Sequence, residues 1–477
     1  MNTLRLIKYY TGIIALCAIP WSCSNDFLEL LPISNTNEVN YYQTEKDFET
    51  AIVAAYATLY TEFGPESGAG FCSEQMSDEA TVYDVMLDAA SFQAFKSYSM
   101  LPANTVVLQV WQDEYNNLMI VNTVIEKLRA SPLGEQLKTS YEAEMRFLRA
   151  LYHFNLVRLF GDVPLMKKPI VVDDSYGVLR SPESEVYAFI IEDLQFAADN
   201  LPLQSQISTR VGQATKGAAL GILGKVYLTV GNKSAAKEAL KQVIDSREYE
   251  LLDNYADLWD LKHENSKEAL LEIQHKADPA APASPYHEYF APYNNLTISP
   301  QGHGLNQVTE DLWNEFEQED LRRESSILTG YTNKAGNWIS VKFPKKWWDP
   351  AWINTGSYYS ENNFIVLRYA DVLLMYAEAT DDANYLNQVR NRAGMPRYGE
   401  AGYPAQYSTL ALAIEHERMV ELSLEFHRWF DLKRTGRAAT VLSAKKGKPI
   451  TEQMLVLPIP QVERDINPAL TQNTIYR

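Results

Sequence analysis

The sequence predicts a mainly α-helical protein in which tetratricopeptide-like helix pairs form a scaffold that carries long irregular loops and a few short strands. Three observations predict it. Met145, Leu148, Tyr152, Leu156 and Leu159 recur at three- and four-residue spacing, with Phe147, Ala150, Leu151 and Phe154 as a second stripe beside them. A helix apolar over that much of its circumference has to be sandwiched between other helices. Second, Leu220, Leu223, Gly224, Tyr227, Gly231, Ala236 and Leu240 fall at tetratricopeptide spacing within residues 217–247. Gly224 and Ala236 let two helices approach, and Tyr227 and Leu240 fill the space between. Third, two long segments are rich in aromatics but have no helical period, residues 282–304 and 345–363.

The first 22 residues read as an export signal, with Arg5 and Lys8 ahead of the short apolar run TGIIALCAIP. Cys23 follows it and is the candidate lipidation site, although Pro20 and Trp21 depart from the usual residues before such a cysteine. Residues 23–40, polar and irregular, form a tether. Residues 41–477 form the body. Cys17 leaves with the signal and Cys23 is acylated, so Cys72 remains alone as a small buried apolar residue.

From Thr44, Phe48, Ile52, Ala55 and Leu59 share a helical face, and Thr44 with Asp47 make a capping box. Residues 71–105 have no clean period. Helices follow over Val106 to Leu128 and over Glu142 to Leu165, the latter ended by Gly161, Asp162 and Pro164. Another starts at Ser181-Pro182. Glu268 to His275 and Trp338 to Phe343 read as short strands. Thr309 to Ser325, Phe364 to Thr380, Tyr385 to Ala393 and Leu410 to Arg434 read as helices, and Met454 to Pro460 as an extended run.

The formal charge of -18 leaves no basic stripe for nucleic acid. No phosphate-binding glycine loop, HExxH or GxSxG is present. Glu421 and Glu425 lie one turn apart, as a glycosidase pair would. Arg418, Arg428 and Arg434 interleave with them, which makes an ion-pair network the simpler reading. His416 and His427 have no metal-site spacing. His153 and Arg158, within the apolar helix, read as packing and ion-pairing residues.

The aromatics in the loops are the candidate binding residues. The C–H face of a pyranose is apolar and slightly positive, so it stacks on an aromatic face, while nearby amides and carboxylates bond its hydroxyls. Tyr289 and Tyr293 with Asn294 and Asn295, and Trp347, Trp348 and Trp352 with Asp349 and Asn354, offer that combination. Tyr83 joins them from the early segment. Lys342, Lys345 and Lys346 read as solvated lysines, with an acidic glycan as the other reading.

Six stretches in order, SCSNDFLE, AEMRFLRALYHFNLVRLFGDVPL, IVLRYADVLLMYAEA, LNQVRNRAGMP, ERMVELSLEFHRWFDLKRTG and LPIPQVERDINPALTQN, resemble the SusD/RagB family of surface nutrient-binding lipoproteins. The link Thr380 to Tyr385 is shorter than that family's usual connection. The resemblance implies four tetratricopeptide-like helix pairs with a ligand site in the loops opposite, no catalysis and no cofactor. It also implies an outer-membrane location facing the exterior, held by lipid on Cys23, and delivery of an oligosaccharide to a SusC-like TonB-dependent transporter. Some members of the family take peptides, and a peptide- or protein-binding scaffold of that type is the alternative.

Overall fold

The computed structural model describes residues 41–66, 68–82, 89–277, 282–293, 297–299, 302–349 and 360–477. The signal, the tether and Cys23 lie outside the described residues. Helix α1 (Glu45–Ala57) opens with the expected capping box: the Thr44 hydroxyl accepts from Asp47 N, and the Asp47 carboxylate accepts from Thr44 N at 2.8 Å. It buries Phe48, Ala51, Ile52 and Ala55. The segment from residue 71 has no clean period in the sequence and reads as a partly ordered excursion. Its first part belongs instead to α2 (Ala69–Met76), all of whose residues are buried, so no polar face exists to give it a period.

The scaffold is eight helices packed in succession. They are α3 (Thr105–Ala130), α4 (Glu135–Phe160), α5 (Glu183–Asn200), α6 (Lys216–Thr229), α7 (Lys233–Ser246), α8 (Tyr369–Thr380), α9 (Ala383–Arg392) and α10 (Leu410–Glu421). Read two by two they give four helix pairs. Helix α4 is buried along most of its length and ends at Gly161, whose φ of 76° suits a residue without a Cβ. Arg149 on its buried face donates to both oxygens of Asp193 on α5, at 2.7 and 2.8 Å. Where α6 meets α7, a Cβ on Gly224 would fall 2.5 Å from Leu240, which is the close approach expected there. Leu240 and Ala236 are fully buried. Tyr227 is only half-buried and accepts from Gln195 of α5 at 2.9 Å, so it bonds to the preceding helix and does not fill the space between α6 and α7. Asp381 and Asp382 alone link α8 to α9, with Asp381 in the left-handed region, and the short link still lets α9 pack on α10.

The third pair is split in sequence: α7 ends at Ser246 and α8 begins at Tyr369. The long insertion between them carries most of the loops. It is ordered by three antiparallel strand pairs. Strand β1 (Ala80–Thr81), contributed from outside the insertion, pairs with β3 (Gln307–Val308); β2 (Ala269–Ile273) pairs with β6 (Phe364–Arg368); and β4 (Ile327–Thr332) pairs with β5 (Trp338–Pro344).

Three expected helices are corrected. Residues 364–368 are strand, not helix, because FIVLR is buried on both faces and finds β2 as a partner far upstream; the helix starts only at Tyr369. Thr309 to Ser325 breaks into Glu310–Glu315 and Leu321–Ser326, with Asp320 capping the second piece. Leu410 to Arg434 breaks into α10 and α11 (Arg428–Arg434), with Leu424 and Phe426 between them at φ 65° and 67°.

Candidate ligand-binding face

The insertion turns back on itself around a packed aromatic cluster. Trp347 stacks on Phe364 with ring planes 8° apart and centroids 5.6 Å apart; Tyr286, Phe290 and Trp259 surround it at 5.3 to 6.2 Å. Phe426 stacks on the other side of this group, 5.0 Å from Phe364. Trp347 is 2% exposed, so its ring has no free face to offer a sugar. The expectation that it contacts ligand is replaced by a packing role, and the reason is physical: an apolar ring of that size gains most where it leaves water entirely.

Trp348, its neighbour, faces differently. Its ring is half-buried and stacks on His287, with centroids 4.8 Å apart and planes 22° apart, and Phe343 meets its edge. His287 is itself fixed. Its Nδ1 accepts from Asp349 N at 3.1 Å, so the proton sits on Nε2, which donates to Ile298 O at 2.9 Å. Burial lowers the pKa of His287 and keeps the ring neutral.

Tyr289 repeats the motif on the other loop. Half-buried, it stacks on His303 with centroids 4.2 Å apart and planes 22° apart. Burial and the neighbouring Glu66 raise the pKa of its hydroxyl, which therefore stays a neutral hydrogen-bonding group. The loop is held by its own backbone and by Glu288, whose carboxylate accepts from Ser299 Oγ at 2.7 Å and from Gly302 N at 3.2 Å. Leu305 N donates to Tyr289 O at 2.9 Å. Tyr293, at the tip, is 38% exposed. Tyr83, Asn294, Asn295, Trp352 and Asn354 lie outside the described residues. Sequence reasoning missed His287 and His303: a lone histidine in a polar loop carries no signal of what it will support.

These loops are fastened to the scaffold by buried charge. Arg368 Nη1 donates to Glu268 at 3.0 Å and to Glu421 at 2.5 Å, and its Nε donates to Glu425 at 2.8 Å. Arg322 donates to Glu417 and Glu421 at 2.6 and 2.8 Å, Arg392 pairs with Glu268 and Glu421, and Lys346 donates to Glu425 at 2.7 Å. Desolvation opposes ionisation of Glu421, yet Arg392, Arg368 and Arg322 outweigh it and hold its pKa well below the usual range. A carboxyl held ionised in this way has no proton to give a glycosidic oxygen, and both its oxygens accept from arginines.

Residues 305–476 match the model of the SusD family, and residues 26–228 match a second model described as starch-binding and associating with the outer membrane. The chain belongs to the SusD family. SusD-like protein P25 of Formosa agariphila is 25% identical, with 95% of each chain covered. A SusD-like protein of Bacteroides ovatus is 27% identical over 86% of this chain and 79% of its own. A solved laminarin binding SusD-like protein superimposes with a TM-score of 0.79 at 27% identity, covering 91% of this chain and 100% of that one.

In this SusD-family chain the network expected around Glu421 and Glu425 is present, but its cations are mostly others. Of the three arginines expected there, Arg418 pairs with Asp371 and Asp431, Arg434 with Glu378 and Asp431, and Arg428 with Asp78. The three lysines read as solvated are partnered. Lys342 pairs with Glu310, Lys345 donates to Glu324 O, and Lys346 is buried against Glu425, which removes it from any direct role toward an acidic sugar. His153 is buried and neutral, pushed down to about 3; it accepts from Met166 N at 3.2 Å and bonds Arg149 O. Arg158 lies over the rings of Phe154 and Phe430, 3.9 and 3.6 Å from their centroids. Cys72 is fully buried, and burial raises its thiol pKa. Among the described residues no helix is long and apolar enough to cross a membrane, and no group of His, Cys, Asp and Glu is placed to hold a metal ion.

Proposed function

We propose that this protein captures an oligosaccharide on its loop face and passes it, uncut, to a SusC-like TonB-dependent transporter in the outer membrane, to which it is anchored by lipid on Cys23. The observation that carries the reading is the pair of half-buried rings, Trp348 and Tyr289, each backed by a histidine, with the exposed Tyr293 at the loop tip. Flat rings held by rigid neighbours lose little entropy when a sugar stacks on them. Tyr83, Asn294 and Trp352, on segments that adjoin this face in sequence, are the further contacts we assign to the site. Trp347 supports it from beneath.

The laminarin-binding relative makes laminarin oligosaccharides the first ligands to titrate, followed by a wider glycan panel and a peptide panel. The expected result is saturable binding of a glycan, recovered intact by chromatography. Release of shortened products would overturn binding without turnover, and a hit confined to peptides would overturn the glycan. Copurification of a barrel transporter with the chain from outer membranes tests delivery; its absence would count against the partner.

A further inference from the structure

Beside the β1–β3 pair lies a cavity of about 430 Å³, away from the aromatic cluster. Four lysines line it, Lys96, Lys445, Lys446 and Lys448, together with Asp78 and Asp311. They come from separate segments: Lys96 ends the Ala89–Lys96 helix, and Lys445 and Lys446 end the Ala438–Lys446 helix. The aspartates are already committed. Asp78 accepts both bonds of Arg428, at 2.8 and 3.0 Å, and Asp311 accepts from Lys445 at 2.8 Å. Lys448 donates to Ser97 O.

Lysines at a helix C-terminus complement its dipole, and this accounts for some of the charge here. Each helix end supplies only about half a negative charge. Arg428 neutralises Asp78 and Lys445 neutralises Asp311, so among the described residues, after both helix ends are counted, about two positive charges stay uncompensated. Among the described residues neither Lys96 nor Lys446 has an ion-pair partner. Burial, with Lys96 and Lys448 close by, pushes the Lys446 ammonium down to about 8. The Thr81 hydroxyl, also at the cavity, is buried with no hydrogen-bond partner. An excess of half-buried cation in a chain of formal charge -18 calls for an anion.

The geometry points to an oxyanion site in which Lys96, Lys446 and Lys448 surround a sulfate- or carboxylate-type group. The group is either a free oxyanion or the charged substituent of an acidic oligosaccharide. The site does not depend on the stacking of neutral sugar. Gln307 of β3 does bring the two sites near each other in the chain, since its amide donates to Phe290 O of the aromatic loop while Thr309, just after the strand, lines the cavity.

Thermal denaturation of the full chain, titrated with sodium sulfate against sodium chloride at equal ionic strength, tests the site. Sulfate is expected to raise Tm beyond chloride, because a ligand that binds only the folded state stabilises it. In Lys96→Gln/Lys446→Gln that excess should vanish, while the variant without sulfate keeps the wild-type near-UV spectrum; among the described residues neither side chain has an ion pair to lose. Calorimetry with a sulfated galactan oligosaccharide and its desulfated counterpart separates the sources. A preference of about tenfold for the sulfated form, lost in the double variant, assigns the site to a glycan substituent. Sulfate stabilisation without that preference assigns it to a free oxyanion. An equal response to sulfate and chloride, with no preference for the sulfated sugar, would overturn the site, as would a sulfate effect that survives in the double variant.

Discussion

Replacing Trp348 by alanine removes a half-buried ring that rests on His287, and its cost falls on binding; replacing Trp347 empties the centre of a packed cluster, and its cost falls on stability. Loss of one stacking ring is expected to weaken glycan binding about tenfold, or ~1.4 kcal/mol, with Tm little changed. Trp347→Ala should lower the free energy of unfolding by about 3–5 kcal/mol, the usual cost of deleting a large core ring. Urea denaturation and calorimetry on both variants separate the two roles, and the assignment fails if Trp348→Ala binds as wild type. The pattern WWDPAW shows that aromatics gather in the loop, but not which ring faces water. That choice is made by Phe364 and Tyr286, distant in sequence, so it was not legible at the residue level.

At the scale of the element, the break between α10 and α11 explains why a continuous helix was expected and is not formed. Apolar periodicity runs through residues 410–434, yet Leu424 and Phe426 adopt left-handed backbone, which costs about 1–2 kcal/mol for each residue with a Cβ. Tertiary contacts hold them there. Glu79 accepts from Leu424 N at 3.0 Å, and Phe426 sits so close to Gly70 of α2 that a Cβ there would come within 2.5 Å. The capping box and the Gly161 stop, by contrast, are local chemistry, and the sequence showed both. Long-range partners also set the pH response. Glu62, after α1, faces Glu114 of α3 inside the core, with Asp113 adding repulsion and Arg158 and Asn155 giving partial relief. Burial raises Glu62 from 4.5 to about 7, so the protonated pair stabilises the fold fully below about pH 4.5, and that contribution is lost as pH rises through about 7. Glu114→Gln should therefore raise Tm at pH 8 relative to wild type and change it little at pH 5. A Tm difference that does not grow between those pH values would refute the raised carboxyl pKa. The charged network around Glu421 has the opposite sign: its carboxyl is depressed, so its contribution is present above about pH 4.5 and fades as pH falls. Glu421→Gln takes one buried carboxylate from each of Arg322, Arg368 and Arg392, an expected loss of about 3–5 kcal/mol at pH 7 that narrows in acid.

The whole molecule has one dominant core, which runs from Phe48 through α4 and the scaffold to Trp347, Phe364 and Leu470. The helix pairs were legible because each repeats a pattern over a few turns; the face they present to the loops was not, because an insertion inside the third pair builds it. Joining both halves in one core has a thermodynamic consequence. A repeat scaffold alone would unfold in stages, each pair held only by its neighbours. Here the Glu421 network and the aromatic cluster tie the loops to α8 and α10, so damage at either end is felt throughout. Leu148, fully buried in α4, is the probe at the scaffold end. Leu148→Asp buries an unpaired carboxyl among apolar neighbours and should abolish the folded state altogether, not spare the fold while removing binding. The milder Leu148→Ala, at a cost of about 2–5 kcal/mol, keeps the test within reach. Its far-UV helical signal and its near-UV signal, to which the loop tryptophans contribute, are expected to melt together at one lowered temperature. Two separated transitions would mean that scaffold and loops fold as independent units.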